Sequence, residues 1–72
     1  MDVLSPREIE VVQLIADGLT GREAGERLGI SESTIETHVE HIRDKLGARS
    51  RPHMVAKALS MGLIPLDGSS GI

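Results

Sequence analysis

Apolar residues recur at helical spacing along most of the chain, and one stripe in its middle is especially regular. The stripe consists of Ile35, Val39, Ile42 and Leu46. These positions are spaced four, three and four residues apart, which places them on one face of an α-helix. The pattern predicts a helix from about Glu32 to Leu46 that buries this face.

Three further helices are predicted from apolar spacing and from residues that favour helix N-termini. They run from Pro6 to about Asp17, from about Gly21 to Leu28, and from about Arg51 to Met61. The predicted N-caps of the four helices are Ser5, Thr20, Ser31 and Ser50. The first two caps are each followed three residues later by a glutamate, the spacing of a capping box. Because no segment has the alternation of a strand, we expect an all-α fold, a compact four-helix domain.

The segment from Thr20 to Leu46 has the features of two helices joined by a tight turn. Gly25 favours a close approach of the two helices, because a larger side chain there would separate them. Gly29 lies where the chain must leave a helix with a positive φ angle, which glycine adopts at little cost. This combination is typical of the helix-turn-helix unit, which places its second helix in the DNA major groove.

The length of 72 residues indicates a single domain, which we expect to span residues 4–64. Residues 65–72 (PLDGSSGI) are predicted to form a flexible C-terminal tail. The chain has no cysteine, no apolar run of the roughly 20 residues that span a membrane, and no basic, apolar secretory start. We therefore expect a cytoplasmic protein without disulfides and without contact to a membrane.

The composition disagrees with the motif about the partner. The formal net charge is −3, whereas domains that bind nucleic acid are more often basic. Phe, Trp and Tyr are absent, so base stacking on aromatic rings, the usual device for single strands and RNA loops, is excluded. The motif and the net charge therefore disagree, and the distribution of charge has to decide between them.

Several short motifs occur in a fixed order: LSPRE at the start, GLTGRE before the second helix, ISESTIETH in the third, and KLGARSR followed by AKALSMGLI at the end. Together they resemble the LuxR/FixJ/NarL-type (GerE-like) helix-turn-helix DNA-binding domain, over Leu4 to Ile64. Each motif alone would be weak evidence, but their common order and spacing make the resemblance specific.

The resemblance implies a bacterial transcriptional regulator that binds double-stranded DNA with its third helix in the major groove, as a homodimer formed through the fourth helix. The residues expected at DNA are Thr20, Arg22, Ser33, Glu36, Thr37, Glu40, His41, Lys45 and Arg49. Those expected at a weak dimer interface are Met54, Val55, Ala58 and Met61. No cofactor is implied.

The basic residues have two interpretations. A rim of phosphate contacts could flank the third helix, or the charges could be an ordinary solvated surface. The residues concerned are Arg22, Arg27, Arg43, Lys45, Arg49 and Arg51. The resemblance raises the phosphate interpretation for Arg22 and Lys45, and free backbone N–H groups at Thr20 and Gly21 could bind phosphate without any positive side chain.

The chain departs from the family at positions that typically face DNA. Lysine is common in the family where this chain has Ser33 and Glu36, and a polar or basic residue where it has Glu40. In the second helix, Ala24 and Gly25 replace a large aliphatic residue and alanine, which removes apolar volume from the core.

Three interpretations of the acidic face of the third helix, formed by Glu32, Glu36 and Glu40, stay open. The face could be solvated or mildly repulsive, its glutamates could accept hydrogen bonds from cytosine N4, or it could dock a basic protein. The alternative function is an interaction module that pairs through its fourth helix with a DNA-binding relative and antagonises it, and the acidic face is the feature that distinguishes it from a DNA-binding domain.

Metal binding and catalysis receive little support from the sequence. His38 and His41 are one helical turn apart, but two imidazoles without a third ligand make a poor zinc site. His38 is expected at the edge of the core, and His41 at DNA or solvent. Since no nucleophile motif, phosphate loop or paired carboxylates are present, we expect no enzymatic activity.

Overall fold

The four predicted helices are present. The computed structural model describes residues 3–65 and contains α1 (Pro6–Ala16), α2 (Gly21–Leu28), α3 (Glu32–Leu46) and α4 (Arg51–Ser60). The described residues contain no strand, so the predicted all-α, four-helix fold is confirmed. Helices α1 and α4 each end one residue earlier than predicted, because Asp17 and Met61 are their C-caps.

Local hydrogen bonds explain where the helices begin. In each helix the side chain of the predicted cap accepts a hydrogen bond from a backbone N–H in the first turn. At Ser5 and Thr20 the reciprocal bond is also present, because Glu8 and Glu23 accept from the cap N–H at 2.8 and 2.9 Å. These capping boxes satisfy amides that a helix N-terminus leaves without a partner.

Helix α3, like α1, contacts each of the other three helices, and its contact with α2 is the most extensive in the fold. Its predicted stripe is buried, with exposed fractions of 0% for Ile35, 2% for Val39, 0% for Ile42 and 4% for Leu46. The remaining buried apolar residues are Leu4, Val11, Val12, Ala24, Met54, Ala58 and Ile64. One core therefore extends from Leu4 to Ile64, and the stripe of α3 runs through it.

The turn between α2 and α3 explains why glycine is needed at position 25. A Cβ atom on Gly25 would lie 2.6 Å from the carbonyl oxygen of Ile30, closer than any normal contact. Gly29 has a φ of 74°, and the N–H of Ile30 donates to the carbonyl of Gly25 at 2.9 Å. The close approach at Gly25 is thus to the backbone of the turn, which folds back against α2.

The core corrects part of the sequence interpretation. Met54 and Ala58, predicted at the dimer interface, are both 0% exposed and pack against the chain's own core. In α1 the buried residues are Glu8, Val11 and Val12, whereas Ile9 is only half-buried. The apolar rows of an amphipathic helix cannot be ranked from spacing alone, because the packing of the helices decides which row is buried.

The predicted tail falls almost entirely outside the described residues, which end at Pro65. Within residues 3–65, no helix is long and apolar enough to cross a membrane.

Candidate nucleic-acid interface

The outer face of α3 lies opposite the buried stripe and forms the candidate interface. Its residues are Ser33, Thr37, Glu40, His41 and Asp44, and all of them are exposed. At 3.6 residues per turn they share one side of the helix, about 180° from the stripe. Four of them were predicted to face DNA: Ser33, Thr37, Glu40 and His41. The structure therefore brings four of the residues predicted to face DNA onto one exposed surface.

Hydroxyl groups at the start of this face bind one another. Ser31 Oγ lies 3.1 Å from Ser33 Oγ and 2.8 Å from Thr34 Oγ1. Thr37 Oγ1 donates to the carbonyl oxygen of Ser33 at 3.1 Å, which leaves its lone pairs available as acceptors. The outer face of α3 thus begins as a polar, uncharged surface and becomes acidic at Glu40 and Asp44.

Glu36 does not lie on the centre of the outer face. It is half-buried at the side of α3, where its Oε1 accepts a hydrogen bond from Nη2 of Arg51 in an ion pair. Its other oxygen, Oε2, lies 2.5 Å from where a Cβ atom on Gly21 would be. The Glu36 carboxylate is therefore directed towards the starts of α2 and α4, and the expectation that Glu36 lies at base edges or the nearby DNA backbone stays a prediction.

Lys45 lies on the flank of α3 opposite to Glu36, where it is bonded to α1. Its Nζ donates to Oε1 of Glu8 at 2.8 Å, and the Lys45 side chain keeps 44% exposure. Burial is the largest influence on the Glu8 carboxyl and acts to raise its pKa. The hydrogen bonds from Lys45 and Ser5 and the charge of Lys45 outweigh it, so the pKa of Glu8 lies below its ordinary value of 4.5.

The other residues predicted at phosphates differ in how they are held. Arg22 is 79% exposed and lies 3.7 Å from Glu26, a weak surface pair. The N–H of Thr20 is occupied by Glu23, so its backbone is not free to bind an anion. Arg49 is exposed and lies beyond the end of α3. Of the three, Arg22 and Arg49 offer accessible guanidinium groups.

The α3–α4 loop that carries Arg49 is fixed from both sides. Arg43 donates through Nη2 to the carbonyl oxygen of Arg49 at 2.7 Å. The N–H of Arg49 donates to Nδ1 of His53 at 3.0 Å. The backbone of Arg49 therefore has a defined position, and its side chain projects from a braced loop.

The predicted dimer surface is smaller than the sequence suggested. With Met54 and Ala58 in the core, Val55 is half-buried and Met61 is 46% exposed.

His38 is half-buried and His41 is exposed, and no group of three or more metal-ligating side chains occurs within residues 3–65.

Sequence reasoning missed the two ion pairs that orient α3, Lys45 with Glu8 and Arg51 with Glu36. Glu8 and Lys45 are 37 positions apart, and Glu36 and Arg51 are 15 apart. The one available signal was that Glu8 occupies the N3 position of a capping box, which places a carboxylate at the start of α1.

Two helices joined by a glycine turn, with the second exposing a polar face and packing its apolar face on two flanking helices, define a helix-turn-helix domain of the DNA-binding class. A family model described as "Bacterial regulatory proteins, luxR family" matches residues 2–58. The chain therefore belongs to the luxR family of bacterial regulatory proteins and is a DNA-binding regulator domain, as the resemblance indicated.

Individual relatives agree with this assignment. The chain is 44% identical over 62 residues to the oxygen regulatory protein NreC of Staphylococcus aureus, covering 86% of this chain and 29% of NreC. The structure of the response regulator ChrA, of a heme-sensing two-component system, superposes with a TM-score of 0.84 at 41% identity, covering 89% of this chain and 32% of ChrA. The transcription factor GerE superposes with a TM-score of 0.88 at 30% identity, covering 93% of this chain and 100% of GerE. The chain thus spans less than a third of the length of NreC.

Proposed function

We propose that this chain binds double-stranded DNA sequence-specifically as part of a bacterial transcriptional regulator, with α3 in the major groove. The observation that carries the proposal is the division of α3 into two faces. Its stripe of Ile35, Val39, Ile42 and Leu46 is buried. Ser33, Thr37, Glu40 and His41 are all exposed on the opposite side, where base edges would lie. A helix of 10–12 Å diameter fits the major groove, which is about 12 Å wide.

The chemistry of the outer face suggests which bases it would prefer. Glu40 is an acceptor and matches the N4 amino group of cytosine. Thr37 offers acceptor lone pairs, because its O–H is donated to the carbonyl oxygen of Ser33, and the Ser33 hydroxyl can donate or accept. Phosphate contacts would come from Arg22 and Arg49, whose guanidinium groups are accessible, and from Lys45 only as far as its bond to Glu8 permits.

We further propose a weak homodimer through α4, in which Val55 and Met61 provide the apolar contact. Met61 is one of the two large apolar side chains that are exposed in the described part of the chain. Such a protein acts in the cytoplasm, where the chromosome lies, and needs neither a cofactor nor catalytic groups.

Duplex binding across a salt series tests the proposal directly. A labelled duplex carrying candidate sites is titrated with the protein and followed by fluorescence anisotropy, with an unrelated duplex as competitor. Salt-sensitive binding with preference for one sequence supports the proposal. If no binding is detected at low salt up to about 10⁻⁴ M, the weak end of ordinary nonspecific affinity, the proposal is wrong.

An interaction module is the second candidate, and one observation favours it. Glu40 and Asp44 lie on the outer face, and no lysine or arginine of α3 lies beside them on that face. A basic protein surface would complement this charge pattern better than phosphate does. In that case the chain would pair with a DNA-binding relative and lower its affinity, and the isolated protein would bind no duplex in the experiment above.

A further inference from the structure

The ion pair between Glu36 and Arg51 occupies a corner of the molecule where three helices meet. It joins the side of α3 to the first residue of α4, and the Glu36 carboxylate also covers Gly21 at the start of α2. The side chains of Arg51 and Glu36 keep 36% and 46% of their exposure. Both charges are therefore held together but stay accessible to a ligand from solvent.

The position of this pair relative to the outer face matters. Successive residues of a helix are rotated by 100°, so Glu36 lies on the flank of α3, between the stripe and the centre of the outer face. When a helix fills the major groove, its flanks lie beside the two phosphate backbones. In the proposed complex, one backbone would therefore pass the corner that Glu36 and Arg51 occupy.

A carboxylate and a phosphate offer the same geometry to a guanidinium group. Arg presents paired N–H donors that fit two oxygens of either anion, and it stays charged at any ordinary pH. Arg51 can therefore exchange Glu36 for a DNA phosphate without a change in its own protonation. Glu36 cannot follow, because a carboxylate next to a phosphate would be repelled.

From this geometry we infer that Arg51 is a phosphate-binding residue that Glu36 masks in the free protein. The inference rests on the proposed function, since it specifies how that interface binds the DNA backbone. DNA binding then requires Arg51 to leave Glu36, and the intramolecular pair lowers nonspecific affinity. Glu36 therefore lowers DNA affinity in two ways: it occupies Arg51, and its own negative charge repels phosphate.

A double-mutant cycle tests the inference. The variants are E36Q, R51A and the combination of the two, and E40Q and E40Q with R51A are the matched controls. Glu40 lies on the same helix one turn further on, and the structure shows no ion pair for it within residues 3–65. Affinity for a short labelled duplex of arbitrary sequence is measured by fluorescence anisotropy at several salt concentrations.

E36Q is expected to tighten binding, and this gain should be about two- to fivefold larger with Arg51 present than in the R51A background, the range expected for a partly exposed pair. The slope of log K against log salt should be shallower by about 0.9 in R51A than in wild type, because one phosphate contact of the complex is lost. E40Q should give the same gain in affinity in both backgrounds, because this substitution removes only the repulsion between Glu40 and the DNA.

Equal gains from E36Q in both backgrounds, with wild-type protein bound to DNA, would overturn the masking of Arg51 and leave the proposed function intact. If no variant binds duplex DNA at low salt, the proposed function itself is wrong and the inference falls with it. Thermal unfolding followed by circular dichroism establishes that each variant is folded, and R51Q replaces R51A if the alanine variant is not.

Discussion

Lys45 Nζ donates a 2.8 Å hydrogen bond to Glu8 Oε1 and thereby joins α3 to α1 across 37 positions of sequence. Glu8 contributes to two interactions at once, because the same Oε1 also accepts from the N–H of Ser5. Its side chain is only 7% exposed. A single carboxylate thus fixes the start of α1 and anchors the end of α3.

Acid should destabilise the protein through Glu8. Its pKa is lower in the folded chain than its ordinary value of 4.5, so the folded state binds fewer protons than the unfolded state. The stabilisation is fully present above the ordinary value and is lost as the pH falls through the folded pKa. E8Q keeps a capping acceptor but leaves Lys45 without its charge partner, so we expect it to cost about 1–2 kcal/mol at neutral pH. Urea unfolding at several pH values should show a shallower acid dependence for E8Q than for wild type.

Gly25→Ala should destabilise the turn. The added methyl would meet the carbonyl oxygen of Ile30, a backbone atom that cannot move alone. Overpacking typically costs about 1–3 kcal/mol, which exceeds the roughly 1 kcal/mol that alanine gains in helix propensity. Gly21→Ala is the matched control, because its methyl would crowd only the flexible end of Glu36 and would lie at an ordinary contact distance of 3.7 Å from Glu32 Cγ. Thermal melts in which G25A is as stable as G21A would contradict the close approach at Gly25.

Ala58→Glu should unfold the domain, whereas Met61→Glu should not. Ala58 is 0% exposed, so a glutamate there would be buried without a charge partner. The free-energy cost of burying that carboxylate exceeds the few kcal/mol of stability that a small domain can lose. Met61 is 46% exposed, so a charge there is hydrated. Met61→Glu should reduce self-association in sedimentation velocity if α4 forms the dimer. An unchanged association constant for M61E would move the interface away from this part of α4.

Glu40→Lys should strengthen nonspecific DNA binding. The substitution replaces a repulsive charge on the outer face of α3 by an attractive one, so the salt slope should steepen by about 0.9 for a new phosphate contact. Preference for the natural site should fall by about 1–3 kcal/mol if Glu40 reads a cytosine. Glu10→Lys is the control for total charge, because Glu10 lies on the exposed side of α1. Equal gains from E40K and E10K would show that position on α3 does not matter.

The features that the sequence predicted well are local or strongly periodic. Caps such as Ser5 and Thr20 act through hydrogen bonds to residues three positions away, so short segments contain the whole signal. The stripe of α3 contains four apolar residues at regular helical spacing, so only one face of the helix can be the buried one. For the same reason the exposure of Thr37, Glu40 and His41 was predictable once the stripe was known.

What the sequence could not predict depends on how the helices pack. Helix α4 has two apolar rows, one with Met54 and Ala58 and one with Val55 and Leu59, and spacing does not say which row faces inward. The structure buries the first row and half-buries the second. The partner of Glu36 was hidden for a related reason, because Arg51 approaches it only after the α3–α4 loop has reversed the chain.

The division of α3 into a buried stripe and an exposed face has a consequence for how such proteins diversify. Substitutions at Ser33, Thr37, Glu40 or His41 change what the helix presents to a partner without disturbing any core contact. New target preferences can therefore arise by single mutations that leave folding unaffected. Glu36 is an exception on this helix, since its replacement also alters Arg51, and changes there would couple recognition to the packing of α4.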